Sequence, residues 1–314
     1  MEALASAQPE GAGNAPTCDV CDPPLALDDH RTLTIRHASP DDREALAGLY
    51  QRMSTADLHR RFFSGGQPLD SFLDRWIDLE GHGGLCLVAE LNEDGPLLVG
   101  DAGFSPQADG DVELGIAIDP DYRGWLGAWL LDSVFRHAQA WGIPNIQALI
   151  LADNRAMMAL AKRRGFVVLD HPDFSKVRLT MSTDGHVPSW PKKKLHPRVV
   201  IETNRTRWRG ESQLREAGFD VAICPGSCTA AGHCPVLDDE HCPLLDGADA
   251  VIVDLPPDDP FTDELLAADR LIHPGLRLLV GSTTNPDGTR HRVATNELLD
   301  ALVDLGGERD NHGV

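Results

Sequence analysis

Apolar and polar residues alternate in the stretch LTIRHA, which begins at Leu33 and is typical of a strand. The next stretch, SPDDREALAGLYQRM, starts with Ser39 as a helix cap and Pro40 at the first helical position. Further apolar stretches, LCLVAEL, LLVGDAGFS and VELGIAI, are separated by turn residues. The pattern therefore predicts a strand, a helix and an antiparallel meander.

Helix and strand patterns alternate after the meander. A glycine-containing loop, DPDYRGWLGA, leads into a predicted helix over residues 126–141. IQALIL is typical of a strand, NRAMMALAKRR of a helix that ends at Gly165, and KVRLTMS of a closing strand. Glycines before a helix let backbone N–H groups approach a phosphate, and the helix N-terminus favours negative charge. The loop around Arg123 is therefore a candidate pyrophosphate site.

These stretches, in this order and spacing, resemble the GNAT family of acyl-CoA-dependent N-acetyltransferases over about residues 32–181. The resemblance implies an α/β fold with a mixed, splayed and mostly antiparallel sheet. It places the pantetheine of the cofactor between two diverging strands, here residues 112–118 and 146–151. It also implies transfer of an acetyl group from acetyl-CoA to an amine, on either a small molecule or a protein lysine.

The resemblance assigns the cofactor to a strand, the loop after it and the turn before a later helix. The candidate cofactor-binding residues are Ile116, Ala117, Ile118, Arg123, Gly124, Trp125, Leu126, Gly127, Ala128 and Asn154. One glycine of the family's usual spacing is missing from the loop, so a remodelled phosphate loop and a plain strand-to-helix turn both stay open. Asn154 fits the family's frequent cofactor contact, and it also fits an ordinary helix N-cap.

Glu113 stands where family members often have a carboxylate that accepts a proton from the amine, commonly through water, and is the candidate catalytic base. An ordinary solvated carboxylate is the alternative. The family's frequent tyrosine acid is replaced by Ala161. A CoA thiolate leaves readily without an acid.

The sequence leaves two functions open. The first is an active N-acetyltransferase. The second is a catalytically degenerate acyl-CoA-binding regulatory protein with a metal- or ligand-sensing C-terminal domain.

Continuous apolar runs replace the alternating pattern near the C-terminus. RVVIE, FDVAIC, ADAVIVDL and LRLLVG are separated by helical segments, which is typical of a parallel sheet buried on both faces. We predict a small doubly wound parallel α/β domain over residues 197–304, after a linker at 182–196. The order of its strands and helices resembles flavodoxin-like and receiver-like domains.

Both ends of the chain are predicted to be tails. Residues 1–31 are predicted to be a disordered tail and residues 305–314 a second tail.

Cysteines concentrate in a loop at residues 224–242, between two of the C-terminal strands. Its four thiols, which could hold zinc or an iron–sulfur cluster, are Cys224, Cys228, Cys234 and Cys242. Their spacing matches no standard metal pattern, so packing as small apolar side chains is the alternative. A CxxC pair, Cys18 and Cys21, lies in the predicted N-terminal tail and is interpreted as incidental.

Composition narrows the possible partners. The chain has 314 residues, enough for two domains, and a formal net charge of -21, which argues against nucleic acid and anionic membranes. No apolar run approaches the roughly 18 residues that span a bilayer, and the N-terminus lacks signal-peptide features. We therefore expect a cytoplasmic protein with acyl-CoA and an amine acceptor as partners, and without nucleic acid or membrane. The oligomeric state stays open.

Overall fold

The computed structural model describes most of the chain. The described residues are 20–27, 30–93, 95–107, 111–190, 194–224, 234–238, 240–255, 260–284 and 290–307. Within them lie a twelve-stranded mixed sheet, a two-stranded sheet and helices on the sheet faces. No helix in these ranges is both long enough and apolar enough to cross a bilayer.

The strands and helices of the N-terminal half are Leu25–Ala26 (β1), Thr32–His37 (β2), Arg43–Gln51 (α1), Thr55–Phe62 (α2), Asp70–Ile77 (α3), Leu85–Asn92 (β3), Pro96–Pro106 (β4), Val112–Ile118 (β5), Leu126–Ala140 (α4), Asn145–Leu151 (β6), Arg155–Arg164 (α5), Val167–Asp170 (β7) and Lys176–Ser182 (β8). Those of the C-terminal half are Arg198–Glu202 (β9), Glu211–Glu216 (α6), Asp220–Cys224 (β10), Pro243–Asp246 (α7), Ala250–Val253 (β11), Pro260–Ile272 (α8), Arg277–Val280 (β12), Ser282–Thr284 (β13), Arg290–Arg292 (β14) and Thr295–Gly307 (α9). Short 3-10 turns lie at Pro40–Asp42, Glu80–His82, Pro120–Tyr122 and Pro235–Asp238.

The helix boundaries follow local capping chemistry. Ser39 forms a capping box with Asp42 around a 3-10 turn, and the regular helix α1 begins one residue later. Gly165 ends α5 with a positive φ of 65°, a conformation that side chains with a Cβ rarely adopt. The predicted helices at both places are confirmed. Helices α2 and α3 were not predicted from the sequence, and α2 contributes to the site described below.

The sheet has the strand order β1-β2-β3-β4-β5-β6-β8-β7-β10-β9-β11-β12. Strands β3, β4 and β5 pair antiparallel, which confirms the predicted meander. Strands β5 and β6 are parallel, and a single residue pair, Glu113 with Gln147, joins them. The sheet therefore splays open beyond this pair, between the carboxyl ends of the two strands.

The N-terminal segment differs from the predicted tail over residues 1–31. Strand β1 pairs with β2, and the carboxylate of Asp22 accepts hydrogen bonds from the side chains of Trp129 and Arg136 on α4. These contacts hold residues 20–27 against the body of the protein. Residues 1–19 lie outside the described part of the chain.

The predicted separation into two domains also differs from the structure. Strands β10, β9, β11 and β12 are parallel as expected, but β10 pairs with β7 and joins them to the N-terminal sheet. In the expected linker at 182–196, Trp190 is buried and its Nε1 donates a hydrogen bond to the Leu244 carbonyl at 2.7 Å. Burial of that large side chain explains why the segment packs instead of spanning two separate bodies.

The hydrophobic core is continuous across the two halves. One cluster runs from Leu33 on β2 to Leu302 on α9 and includes Val199 and Ile201 of β9. Helix α9 ends at Gly307, within the expected tail at 305–314. The relationship of the C-terminal strands to flavodoxin-like or receiver-like domains stays a prediction.

Candidate active site

A cavity of about 640 Å³ lies where β5 and β6 separate. Its walls include residues 114–118 of β5 and residues 148–150 of β6, with α2 on one side and the start of α5 on another. Because the strands part here, their facing backbone groups are available to an extended ligand that carries amides. We call this parting of β5 and β6 the open seam.

The loop before α4 closes one end of the cavity. Gly124 has a φ of 97°, which a residue with a Cβ would adopt only under strain. A Cβ at Gly127 would lie 3.0 Å from Ile118 Cδ1 and 3.3 Å from Leu160 Cδ1, so glycine preserves space between β5 and α5. The first-turn N–H groups of α4 have no partner four residues earlier within the helix. The loop therefore offers donors and a helix N-terminus to an anion despite its altered glycine spacing.

The structure brings most of the predicted cofactor residues to this cavity. Those that line it are Ile116, Ala117, Ile118, Arg123, Gly124, Gly127 and Asn154. The cavity is not lined by the other three predicted residues, Trp125, Leu126 and Ala128. The Leu126 side chain is fully buried in the core, and the Trp125 ring is half-exposed and stacks on Trp129. Leu126 faces away from the cavity because α4 packs it into the core.

Arg123 is engaged by a carboxylate. Its Nη2 lies 2.9 Å from Asp57 Oδ1, and Arg60 Nη1 lies 3.1 Å from the same oxygen. Burial by itself raises the pKa of Asp57, but hydrogen bonds from Arg123 and Ser54 outweigh it and lower the pKa to about 2. Asp57 therefore stays ionised and offsets much of the positive charge that the sequence analysis assigned to phosphate binding.

Two other arginines line the cavity from α5. Arg155 and Arg163 make no ion pair with any described residue, so their charge is available to phosphates. Sequence reasoning missed both residues. The basic residues of NRAMMALAKRR were a usable signal, because a helix that begins beside a predicted cofactor site can place them toward it.

Asn154 is the N-cap of α5, which is one of the two roles that the sequence analysis left open. Its Oδ1 accepts a hydrogen bond from the Met157 backbone N–H at 3.2 Å, at the start of α5. The residue also lines the cavity. The contact to a cofactor stays a prediction.

Glu113 lies at the closed end of the open seam, where β5 still pairs with β6. Its side chain is 32% exposed, and Arg178 Nη1 of β8 lies 3.9 Å from its Oε2. Glu113 directly precedes the residues of β5 that line the cavity, although it is outside the lining set. A water molecule could connect the carboxylate to a ligand in the cavity, and the assignment as catalytic base stays a prediction.

Sequence reasoning missed two charged residues next to the same region, the partly buried Arg61 and the buried Asp101. Arg61 of α2 lines the cavity, and its guanidinium lies 4.7 Å from the centre of the Trp76 ring. Its Nε and Nη2 atoms have no hydrogen-bond partner among the described residues. Asp101 of β4 is fully buried and accepts a hydrogen bond from Trp76 Nε1 at 2.9 Å. Burial raises the pKa of Asp101 to about 6, although attraction to Arg61 opposes the shift.

Gly115 makes room for this arrangement. A Cβ at that position would lie 2.4 Å from Arg61 Nη2 and 2.7 Å from the Trp76 ring. The sequence stretch VELGIAI held this signal, since a glycine inside a strand often marks a close approach by another group.

The cavity lining contains no tyrosine among the described residues. Ala161 is fully buried and faces the core, whereas Leu160 and Arg163 of the same helix face the cavity. A tyrosine at position 161 would therefore point into the core.

The cysteine loop lies outside this site, and only part of it is described. Cys224 and Cys242 are buried in an apolar cluster with Cys234 packed against it, while Cys228 lies outside the described residues. Burial raises the pKa of Cys242, which favours the thiol over the thiolate that binds metal. The described thiols thus pack as small apolar groups, and a four-thiol metal site stays a prediction.

Comparisons with known proteins agree with the geometry. A family model described as an acetyltransferase (GNAT) domain matches residues 32–167. An acetyltransferase of Pseudomonas aeruginosa is 32% identical over 156 residues, which are 48% of this chain and 83% of that protein. Similar solved structures include the GNAT domain of PAT from S. lividans, 20% identical with a TM-score of 0.46, covering 52% of this chain and 97% of that one.

A second similar structure is a phosphinothricin acetyltransferase from Sinorhizobium meliloti in complex with AcCoA, which is 21% identical with a TM-score of 0.41. The similarity covers 48% of this chain and 88% of that one. The residues that the family model matches include the open seam. The chain therefore belongs to the GNAT family of acetyltransferases, whose reaction is acetyl transfer from acetyl-CoA.

Proposed function

We propose that this protein transfers the acetyl group of acetyl-CoA to the amine of a small molecule or a protein lysine. The observation that carries the proposal is the open seam, a cavity of about 640 Å³ between two parallel strands that ends at the N-terminus of α4. An extended pantetheine fits a slot with free backbone groups on its walls, and a pyrophosphate fits the helix N-terminus.

The phosphates of the cofactor contact the loop at Gly124, the first turn of α4 and the arginines of α5. Arg155 and Arg163, which pair with no carboxylate in the described part of the chain, supply the charge, while Arg123 is held by Asp57 and orders the loop. This division differs from the sequence-based assignment, in which Arg123 alone supplied the charge.

The amine approaches from the side of the cavity that Arg61 lines. The amine nitrogen forms a bond to the thioester carbonyl carbon, the carbon–sulfur bond breaks, and the CoA thiolate leaves. The proton of the amine passes to Glu113 through a water molecule. Arg61, whose Nε and Nη2 bond to none of the residues that the structure describes, suits an acceptor that carries a carboxylate or another anionic group near its amine.

A second candidate function is binding of acyl-CoA without catalysis, as a regulatory protein. Two observations favour it: the loop has one glycine fewer than the family's usual spacing, and no tyrosine lines the described part of the cavity. Under this proposal the cofactor binds but no amine is acetylated.

The test is calorimetric titration of the full chain with acetyl-CoA and with desulfo-CoA, followed by measurement of thiol release with a panel of amines. The panel pairs each amine with a carboxylate-bearing analogue. Gly127→Ala, whose new Cβ would crowd Ile118 and Leu160, is expected to weaken acetyl-CoA binding several-fold. Gly66→Ala is the matched control, because a Cβ there meets nothing within 4 Å.

Binding with thiol release supports the acetyltransferase. Binding without release from any amine supports the regulatory function. Absence of binding by the wild-type chain, or equal weakening by both glycine variants, contradicts the assignment of the open seam to acetyl-CoA.

A further inference from the structure

Two histidines and a carboxylate meet in the C-terminal half of the chain. His241 lies two residues before α7, Asp246 is the last residue of α7, and His273 directly follows α8. His241 Nδ1 lies 2.9 Å from Asp246 Oδ1, and His273 Nδ1 lies 3.3 Å from the same oxygen. The candidate ligand atoms of the three residues all lie within 4.8 Å of one another. We call these three residues the His–Asp cluster.

Helix packing sets the positions of these side chains. Leu245 of α7 and Leu265 of α8 are buried in the same apolar cluster, so the two helices are held together below the surface. The backbone N–H groups of Asp246 and His273 each donate to the carbonyl four residues earlier, which fixes both residues at the ends of their helices. The carboxylate and the His273 ring are therefore brought together by the fold and not by their own attraction alone.

The cluster combines one buried ring with two exposed groups. The His273 side chain is 6% exposed, against 70% for His241 and 47% for Asp246. Burial lowers the pKa of His273, although the charge of Asp246 opposes the shift. The ring is thus neutral at pH 7, and neutral imidazole is the form that binds metal. Its Nε2 is also buried and bonds to none of the described residues, so the cluster supplies the polar partner of this ring.

One carboxylate oxygen serves both rings when no ion is bound. Each Nδ1 carries its proton if it donates to Asp246 Oδ1. Transfer of the two protons from Nδ1 to Nε2 keeps both rings neutral and leaves two Nδ1 lone pairs beside the same oxygen. A cation at that point is attracted by the carboxylate and by both lone pairs.

The separations fit the coordination of one ion. Zinc binds histidine nitrogen and carboxylate oxygen at about 2.0–2.2 Å. Two ligand atoms at about 2.1 Å from an ion lie about 3.0 Å apart at a right angle and about 3.4 Å apart at the tetrahedral angle. The separations of 2.9 Å and 3.3 Å in the His–Asp cluster are close to these values. An ion can therefore replace the two hydrogen bonds with little movement of the ligands.

We propose that His241, Asp246 and His273 bind a divalent transition-metal ion of the zinc type. Two imidazoles with one carboxylate suit zinc, nickel or copper, whereas magnesium and calcium prefer oxygen ligands. Three protein ligands leave at least one position of the ion to water. The ion ties α7 to the end of α8. Because it binds the folded chain, it raises the melting temperature by mass action.

The His–Asp cluster is separate from the sites that the sequence analysis singled out. None of its residues lines the cavity of the open seam, so the proposal does not depend on acetyl transfer. Cys242 adjoins His241 in sequence, but its thiol is buried in the apolar cluster while the His241 ring is exposed. The sequence analysis missed the cluster because His273 lies beyond β11 and α8 in the chain.

The experiment is calorimetric titration of the metal-stripped full chain, purified without an affinity tag, with zinc and with magnesium. We expect saturable zinc binding and no comparable magnesium binding. His241→Gln and Asp246→Asn, both at exposed positions, should each weaken zinc binding by about 10–100-fold and remove the zinc-dependent rise in Tm. His82→Gln is the matched control, because His82 lies 3.5 Å from Asp78 outside any three-ligand cluster of the described residues. Circular dichroism checks that each variant is folded.

Cobalt absorption distinguishes the His–Asp cluster from the cysteine loop. Cobalt bound by the cluster gives visible absorption without a thiolate charge-transfer band. Persistence of that absorption in Cys234→Ser and its loss in His241→Gln support the proposal. Absorption that is lost entirely in Cys234→Ser places the ion in the cysteine loop and overturns it. It is also overturned if the wild-type chain binds neither zinc nor cobalt, if magnesium binds as tightly as zinc, or if His241→Gln binds zinc as tightly as His82→Gln.

Discussion

Two regions of the same sheet contain parallel strands that pair to very different extents. Strands β5 and β6 share one residue pair, whereas β9 shares five pairs with β10 and four with β11. We call the pairing of β9 with β10 and β11 the closed seam. The closed seam satisfies its backbone groups within the sheet, while the open seam leaves them for a ligand. Under the proposed function, the capacity to bind acetyl-CoA comes from strand pairing that stops early.

The side chains show the same contrast. All five residues of β9 are buried, whereas three of the seven residues of β5 are partly exposed. Helices cover both faces of the closed seam, so its apolar residues pack on each side. At the open seam the cavity replaces part of that packing. The predictions below test this difference, beginning with the largest effect.

The largest effect is expected on turnover, when the proposed catalytic base beside the open seam is replaced. We expect Glu113→Gln to lower turnover by about two to four orders of magnitude, because glutamine cannot accept the amine proton. Acetyl-CoA affinity, measured by calorimetry, should not change. The defect should shrink as pH rises toward the pKa of the amine, which then arrives deprotonated. A normal rate at neutral pH, or lost cofactor binding, would contradict the role.

Matched isoleucine substitutions compare the packing of the two seams. Ile201→Ala in the closed seam should lower the free energy of unfolding by about 2–5 kcal/mol, because Ile201 is fully buried and the cavity left cannot collapse. Ile116→Ala should cost less, since Ile116 is partly buried and lines an existing cavity. Urea denaturation followed by circular dichroism measures both. Equal losses would show that the open seam is packed as tightly as the closed one.

A buried carboxyl beside the open seam should make stability depend on pH. Burial raises the folded-state pKa of Asp101 from 3.8 to about 6. Below pH 3.8 both states hold the proton, and between pH 3.8 and 6 the unfolded chain loses it first, so stability falls as pH rises. The fall is about 3 kcal/mol at most, on the scale of 1.36 kcal/mol for each pKa unit.

Asp101→Asn should remove this fall and keep an acceptor for Trp76 Nε1. Urea denaturation at a series of pH values provides the measurement. Glu44→Gln, at an exposed position, is the control and should leave the pH profile unchanged. An unaltered profile for Asp101→Asn would place the titrating group elsewhere.

The smallest effect is expected on acetyl-CoA binding, when one positive charge that lines the cavity is removed. We expect Arg163→Ala to weaken acetyl-CoA binding about tenfold, or about 1.4 kcal/mol, with a larger effect at low salt. Arg75→Ala is the matched control, because Arg75 is exposed on α3 and does not line the cavity. If the two variants bind alike, the phosphates do not contact α5.

Local sequence patterns were enough for much of the fold. The cap at Ser39, the end of α5 at Gly165 and the three meander strands depend on neighbours close in the chain, and all are confirmed. The loop before α4 was also singled out from the sequence and borders the cavity, because glycines before an amphipathic helix are a local signal; its role in cofactor binding stays a prediction. Arg61 and Asp101 were missed, since nothing near them in sequence shows that a helix and a distant strand bring their charges close enough to interact.

The sequence by itself determined the type of each main strand and helix, because periodicity and capping act over a few residues. Only the tertiary structure decided that β7 and β10 join both halves into one sheet, and that His241 and Asp246 meet His273. It also decided that β5 and β6 part after one pair. These outcomes depend on which distant surfaces bury each other, and no local pattern encodes that choice.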